Sequence, residues 1–327
     1  MSYSEPFFSI VILHWRGTDL LQRCLQALEA QSFTGYELIL LDNGSQDFPK
    51  ALPVKFKQPV KLLRSEENLG FAAGNNLAAE QAEGQYLVLL NNDAYPKPDW
   101  LSVLHAAAQK HPQHFFASRL LKAEAPQVLD GEWNVYHVSG LAWRKNHNAA
   151  LSQAQSEPKQ VLSACAAAAA YPLEAFRAIG GFDPDYFAYM EDLDLDLRLQ
   201  AAGYPCLYLP TALVNHQGSA STGARSAFQL YHGHRNLIYT FVKNMPGIFF
   251  WLLLPLHILA NLIYVIASLG MHEGKALRQG KLAALLSLGP LWAKRRQVQE
   301  KRKAGAWQLM RRMDWNPLSP FVKLGFR

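Results

Sequence analysis

The sequence predicts an α/β protein: a mostly parallel sheet, followed by a helical C-terminal region. Three observations carry this. The runs Phe7 to Leu13, Glu37 to Leu41 and Tyr86 to Leu90 are of strand length and almost wholly apolar, as expected of strands buried on both faces. Helical spacing between the first two gives β-α-β, hence a parallel pair joined by a right-handed crossover. The last hundred residues then change character, with no Asp, Glu, Lys or Arg from Asn244 to His272 and a basic stretch after it.

Taken in order, the first strand is Phe7 to Leu13, and Asp19 to Ala30 follows with Leu20, Leu21, Cys24, Leu25 and Leu28 at helical spacing. The second strand ends in Asp42-Asn43-Gly44-Ser45, at the carboxyl end of a parallel strand, where such sheets place ligands. Val60 to Leu63 is a third strand. Asn68-Leu69-Gly70-Phe71-Ala72-Ala73-Gly74-Asn75-Asn76 then opens a helix through Ala82. Small residues there allow close backbone approach, and unpaired N–H groups at a helix start favour an anion, although Gly74 also suits plain helix packing. Tyr86 to Leu90 is the most apolar strand and ends in Asn91-Asn92-Asp93, which Pro96 and Pro98 confine to a short turn. Asp93 is therefore a solvated turn residue or a carboxylate that bridges a divalent cation to a diphosphate.

Residues 130–158 are polar, with Trp133, Tyr136, His137 and Trp143 among them, as in a hairpin beside a site. The alanines from Ala166 to Ala170 fit a helix or a tightly packed strand, and periodicity does not decide. Gly180 to Asp194 turns on a glycine pair, runs through aromatics and reaches Glu191-Asp192 at a helix start. Leu193, Leu195, Leu197 and Leu199 continue that helix, and Gly203 closes it. An acidic first turn with an Asp194–Arg198 pair is the ordinary reading. The preceding run Tyr186 to Met190 adds a second one: partial desolvation raises a carboxylate pKa and fits it for general-base work. Cys206 to Leu209 is a late strand. His216 follows it, and Gly218, Ser219, Ser221, Thr222 and Gly223 make a polar loop.

Cys24, Cys165 and Cys206 lie far apart without metal-ligand spacing, which fits a reducing compartment, and no secretory signal is visible. From Lys275 onward there are thirteen Lys or Arg against Glu300 and Asp314, leaving 19 basic and 24 acidic residues before it. The tail therefore calls for an anionic partner. Asn244 to His272 is long enough to span a bilayer. Pro255 interrupts it, His257, Asn261, Tyr264 and Ser268 form one polar stripe, and both flanks are positive. These features favour a helix in the membrane interface or a re-entrant one, or packing on a partner, over a crossing.

The ordered set Leu41-Asp42-Asn43-Gly44-Ser45, Asn68-Leu69-Gly70-Phe71, Leu90-Asn91-Asn92-Asp93, Gly180-Gly181-Phe182-Asp183, Glu191-Asp192 and His216-Gln217-Gly218-Ser219 resembles the family 2 glycosyltransferases. The nearest pattern is that of bacterial rhamnosyltransferase-like and galactofuranosyltransferase-like members. It covers about Ser9 to Thr222, and His234-Arg235-Asn236 and Lys243 to Gly247 extend it into the tail. The resemblance implies a GT-A fold, a Rossmann-like nucleotide-sugar-binding sheet, with inversion at the anomeric carbon. It gives Asp192 as catalytic base with Glu191 beside it. Donor contacts fall on Asp42, Asn43, Asn68, Gly70, Gly74, Asn75 and Asn92, and metal ligation on Asp93 and His216. The cofactor implied is Mg²⁺ or Mn²⁺. Asn91 stands where the family's acidic triplet often has Asp, and His14-Trp15 replaces its commoner Asn-Tyr.

The expectations are therefore these. Residues 1–225 form a GT-A catalytic domain and 226–327 a helical, basic, membrane-associating region. The enzyme moves a sugar from a dTDP-rhamnose-type or UDP-sugar-type donor to a saccharide or lipid-linked saccharide acceptor. It works at an anionic membrane surface, on the cytoplasmic face of the inner membrane. Deleting Asn244 onward leaves a soluble, nucleotide-binding fragment. Two alternatives stand beside this. One is a non-catalytic or nucleic-acid-binding protein acting through its basic tail, with Trp292, Trp307 and Trp315 to stack on bases; the uncharged run argues against it, so that no nucleic acid is expected. The other is a nucleotide-sugar hydrolase or nucleotidyltransferase.

Overall fold

Each of the first three strands is followed by a connection long enough to bring the next one back parallel. In the computed structural model, which describes residues 5–49, 51–52, 55–218 and 226–324, β1 (Phe8–His14) leads through α1 (Thr18–Glu29) to β2 (Tyr36–Asn43) and β3 (Val60–Ser65). Then α2 (Gly70–Ala79) leads to β4 (Tyr86–Leu90). They lie in the order β3-β2-β1-β4, all parallel. Ile10, Leu38 and Val88 are buried on one face, and Val11, Ile39 and Leu89 on the other, which is why these runs show no alternation. Leu21, Cys24, Leu25 and Leu28 of α1 cover the first face, and Ala72, Ala78 and Ala79 of α2 the second.

Beyond β4 the sheet is mixed. β5 (Ala94–Pro96), α3 (Trp100–Lys110), β6 (Phe115–Lys122) and β7 (Ala125–Gly131) follow. After them come a hairpin of β8 (Asn134–Tyr136) and β9 (Ala142–Arg144), then β10 (Lys159–Val161) and β11 (Ala168–Pro172). The alanine run is thus a strand, antiparallel to both neighbours, with Ala169 level with Leu89 on β4 and Ala117 on β6. α4 (Leu173–Ala178) and α5 (Glu191–Ala202) precede β12 (Cys206–His216), which pairs parallel with β6 and runs past a bulge to His216. The parallel arrangement expected from the sequence therefore holds for the N-terminal wing. Elsewhere, as where β7 returns along β6, the connection is too short for a crossover.

The remaining helices are α6 (Ala227–Asn244), α7 (Gly247–Ala267), α8 (Gly274–Leu286), α9 (Leu288–Glu300), α10 (Ala306–Met310) and α11 (Ser319–Leu324). They pack on the sheet domain. One apolar cluster joins Tyr136, Tyr186, Leu193 and Leu197 to Phe241, Met245, Phe250, Leu291 and Met310. Beside it Lys243 is buried between Asp183 (2.6 Å) and Asp194 (2.9 Å), and Asp194 also accepts from Arg198 Nε (2.9 Å) and Asn244 Nδ2 (2.7 Å). The Asp194–Arg198 pair is therefore interior, not a surface pair. Burial alone would raise the Asp194 carboxyl, but Arg198 and Lys243 more than offset this and hold it well below the usual carboxylate range.

Much of the basic tail is committed in the same way. Lys294 pairs with Asp183 and Asp185, Arg295 donates to the carbonyls of Val242 and Met245, and Arg312 reaches Gln200. Lys281 is buried against Asn261, and burial brings its pKa down to about 7. The charge count along the chain thus overstates the free positive surface. The polar stripe of α7 faces inward as well: His257 Nδ1 meets the Ser139 carbonyl at 2.8 Å, Asn261 meets Lys281, and Ser268 meets Arg278. Its outer face is left to Trp251, Leu252, Leu259, Leu262 and Ile266, all exposed. Among the described residues, 247–270 is the one helical stretch long and apolar enough to cross a membrane.

Candidate active site

The strand ends singled out by the sequence meet in one open cleft of about 640 Å³. Its near side is formed by the ends of β1 and β4 and the start of α2. The β8–β9 hairpin and the loop before α5 close it, and Phe228, His234, Leu237 and Tyr264 of α6 and α7 make its far wall. Asn43, Asn68, Gly70, Asn75, Asn92, Asp93, Glu191, Asp192 and His216 all line it. Asp42 and Gly74 do not. Asp42 is buried beneath the turn, where its Oδ1 accepts from the N–H (2.9 Å) and hydroxyl (2.6 Å) of Ser45. Gly74 provides space: a Cβ there would come within 3.3 Å of Leu13 and the Asn43 amide.

The asparagines act largely on one another. Asn43 Oδ1 accepts from Leu69 N (3.0 Å), its Nδ2 donates to Asn68 Oδ1 (3.2 Å), and Asn68 Oδ1 also accepts from Gly70 N (2.8 Å). The next two amides, of Phe71 (2.7 Å) and Ala72 (3.2 Å), donate to the Phe187 carbonyl. The free anion-binding N–H groups expected at the start of α2 are therefore already used. Gly70, at φ 76°, is required here, because a Cβ would meet the Phe187 carbonyl at 2.6 Å. Asn92 is steadied by His14, itself buried, at 3.4 Å, and donates to the Arg16 carbonyl at 3.0 Å. The departure at His14 thus supports the site from beneath, while Trp15 faces the cleft.

Opposite them, β5 pairs with the end of β12 and sets His216 level with Ala94. That register places Asp93 Oδ1 3.3 Å from His216 Nε2. His216 Nδ1 lies 2.7 Å from Asp130 Oδ2, which also accepts from Arg144. Burial would make His216 less basic, but its bonds to Asp130 and Asp93 outweigh this and bring its pKa up to about 8. Asp130, which burial would raise, is held at about 2 by His216 and Arg144. The donor set fits a divalent ion. With Nδ1–H donated to Asp130, the neutral ring presents Nε2 as a ligand beside the Asp93 carboxylate. No group of three or more His, Cys, Asp or Glu is arranged about one metal position among the described residues, so a diphosphate would have to complete the shell.

Asp192, the residue expected as the base, lines the same cleft. Asp192 Oδ2 accepts from Asn134 Nδ2 (3.0 Å) and Ala166 N (3.3 Å), and Oδ1 from Leu193 N (2.8 Å). Glu191 is buried, and one carboxyl oxygen has no hydrogen-bond partner. Burial, and then the charge of Asp192, push its pKa well above the ordinary value, favouring the neutral acid. The rise expected of a carboxylate after the aromatic run thus falls on Glu191. Asp130, Asn134 and Arg144 were not among the residues expected to act. Their one signal was the polar, aromatic-rich stretch from 130 to 158. Ser219, Ser221, Thr222 and Gly223, expected as a loop round His216, lie outside the described residues.

Residues 9–180 match the family described as Glycosyl transferase family 2. The chain belongs to this family. It is a glycosyltransferase, similar to N-acetylglucosaminyl-diphospho-decaprenol L-rhamnosyltransferase of Mycobacterium tuberculosis (28% identical over 240 residues, 66% of this chain and 78% of that one). It also resembles the O-antigen biosynthesis protein RfbC of Myxococcus xanthus (29% over 229 residues, 67% of this chain but 18% of that one). Among solved structures, GalNAc-T7 with UDP, GalNAc and Mn²⁺ superposes with TM-score 0.62 at 17% identity, covering 94% of this chain and 57% of that one. The mannosyltransferase PcManGT from Pyrobaculum calidifontis, with GDP-Man and Mn²⁺, gives 0.53 at 15% identity, covering 91% and 86%. These likenesses establish the GT-A fold. In this family 2 glycosyltransferase β4 is followed by Asn91-Asn92-Asp93, and the buried His216–Asp130 pair stands beside Asp93.

Proposed function

We propose that this glycosyltransferase moves a sugar, with inversion, from a dTDP-rhamnose-type or UDP-sugar-type donor to a hydroxyl of a lipid-linked or surface-polysaccharide acceptor. The observation that carries this is the single cleft in which the Asp93–His216 pair faces the Asp192 carboxylate. Asp192 takes the proton of the acceptor hydroxyl as its oxygen bonds to the anomeric carbon. The bond from that carbon to the diphosphate oxygen breaks on the opposite side, and the nucleoside diphosphate leaves. A divalent ion, Mg²⁺ or Mn²⁺, would offset the charge growing on the leaving diphosphate. Arg144 adds a fixed positive charge on the cleft wall. The alternatives of hydrolysis or nucleotidyl transfer lose ground because α6 and α7 build a partly apolar wall suited to a second, larger substrate.

The test is thermal shift with dTDP-rhamnose, UDP-GlcNAc and UDP, each with and without Mn²⁺, since a ligand stabilises the native state according to its occupancy. A competent donor should raise the melting temperature more with Mn²⁺. Asp93→Ala and His216→Ala should each remove that Mn²⁺-dependent part. The pH dependence has a definite sign. The imidazolium form of His216 stabilises the ion-free fold below its ordinary pKa of 6.5, and this contribution is lost as pH rises through about 8. Mn²⁺ affinity should move the opposite way, rising over that window as the competing proton leaves. Mn²⁺ shifts unchanged in both variants would retire the shared-metal reading and leave Asp93 as a turn residue.

The same proposal places the enzyme on the cytoplasmic face of the membrane, lying on it by the outer face of α7. A crossing helix would have to pull His257 and Asn261 away from the body. Each Leu, Ile or Trp removed from water there contributes about 1.5–3 kcal/mol, against about 1 kcal/mol for each free Lys or Arg near an anionic surface. With Lys281, Lys294, Arg295 and Arg312 already engaged, the apolar part dominates. We therefore expect 1 M salt to release only a small fraction of the protein from membranes and detergent to release nearly all. Complete release by salt would mean that the apolar face is covered by protein instead.

A further inference from the structure

We infer that Asn236 is a positioning residue for Asp192, acting by locking the loop that leads into it. This rests on Asp192 being the base. Phe187, Tyr189 and Met190 have φ of 62°, 68° and 69°, left-handed conformations that residues with side chains adopt only when their surroundings impose them. They directly precede Glu191 and Asp192, so relaxation of the loop would re-aim the base.

The imposing contact comes from α6. Asn236 is fully buried, and its Nδ2 donates to the carbonyls of Tyr186 (3.0 Å), Ala188 (2.9 Å) and Tyr189 (2.7 Å). Its Oδ1 accepts from Arg235 Nε (2.8 Å), while Arg235 Nη2 donates to the carbonyls of Asp185 (2.7 Å) and Tyr186 (2.9 Å). A side-chain amide offers two N–H donors to that ring of carbonyls and an acceptor oxygen to the guanidinium at once. Between its two held flanks the Phe187 carbonyl points the other way, to the Phe71 and Ala72 amides at the start of α2. One buried side chain thus fixes the base loop in the shape that also docks on the donor side of the cleft. It touches no reacting atom.

The test separates turnover from donor binding in the full-length enzyme. Asn236→Ala should lower kcat about 100-fold, the scale expected when a reacting group is misplaced by an ångström. Affinity for UDP with Mn²⁺ should stay within about threefold, since the donor-side asparagines are untouched. Adding Met190→Gly to that variant should recover about tenfold in kcat, because glycine takes up a φ of 69° without strain. Should Asn236→Ala fail to fold, Asn236→Ser replaces it, with a kcat loss of about tenfold expected from the donors it removes. An unchanged kcat overturns the inference. So does a parallel fall of kcat and UDP affinity that Met190→Gly does not relieve, the mark of a merely structural residue. An active Asp192→Asn enzyme would retire the base reading itself, and that result is independent of the Asn236 series.

Discussion

Asp192→Asn is expected to lower kcat by about 10²–10⁴-fold, the usual contribution of a general base, with affinity for UDP and Mn²⁺ nearly unchanged. The carboxylate stands on the first turn of α5, and both its oxygens are anchored, one by Asn134 and Ala166 and the other by Leu193. An amide keeps the shape but cannot take the acceptor proton. It also turns an NH₂ group toward at least one of those donors, so Asp192→Ala is the necessary companion. If both variants lose turnover while UDP binding holds, the loss lies in the chemistry. Near-normal turnover in either would move the role to another group. Glu191 is a poor substitute at neutral pH, because burial favours its protonated form. Its own activity would appear only as pH rises, which a pH–rate profile of Asp192→Asn would show.

Deleting residues 244–327 should leave no folded, monomeric fragment. The sequence alone points the other way, since every donor motif precedes the cut. The deletion removes Phe250, Ala284, Leu291, Met310 and Met313 from a cluster that also holds Tyr186, Leu193 and Leu197. Each large apolar side chain lost from such a core forfeits about 1.5–3 kcal/mol, and a whole domain is stable by only about 5–15 kcal/mol. Asn244 and Lys294 go too, leaving Asp194 and Asp183 with fewer partners in a buried ion network. Size-exclusion chromatography with UDP–Mn²⁺ binding gives the answer. A monomer that binds as the full chain does would show that the sheet domain stands alone.

The contrast shows which levels of the structure a single chain discloses. Strands β1, β2 and β4 and helix α5 were legible because both-face burial and helical spacing are local patterns. The cleft residues were legible as ordered motifs at strand ends. What escaped depends on partners far away in the chain. Nothing near Asp130 announces that β7 will return along β6 and set it against His216. β6 itself passed unread. The alanines of β11 left helix and strand equally open until neighbours on both sides fixed the strand. In the tail, charge could be counted but not located, so Lys281 and Arg295 looked like surface cations although both are buried. Asp42 shows the converse: a motif residue expected at the donor whose side chain is spent on its own turn.

The far wall of the cleft has a consequence for how the enzyme comes into being. A chain emerging from the ribosome has every residue proposed for donor, metal or base once His216 is made. The wall contributed by Phe228, His234 and Tyr264 arrives only with α6 and α7. The apolar outer face of α7 belongs to the same stretch of synthesis. Domains fold in the order they are made, so a nascent chain could hold donor-side structure while still lacking the second half of its cleft. The cleft is completed by the same helices that carry the proposed membrane-binding face, so the enzyme matures and acquires that face in a single event.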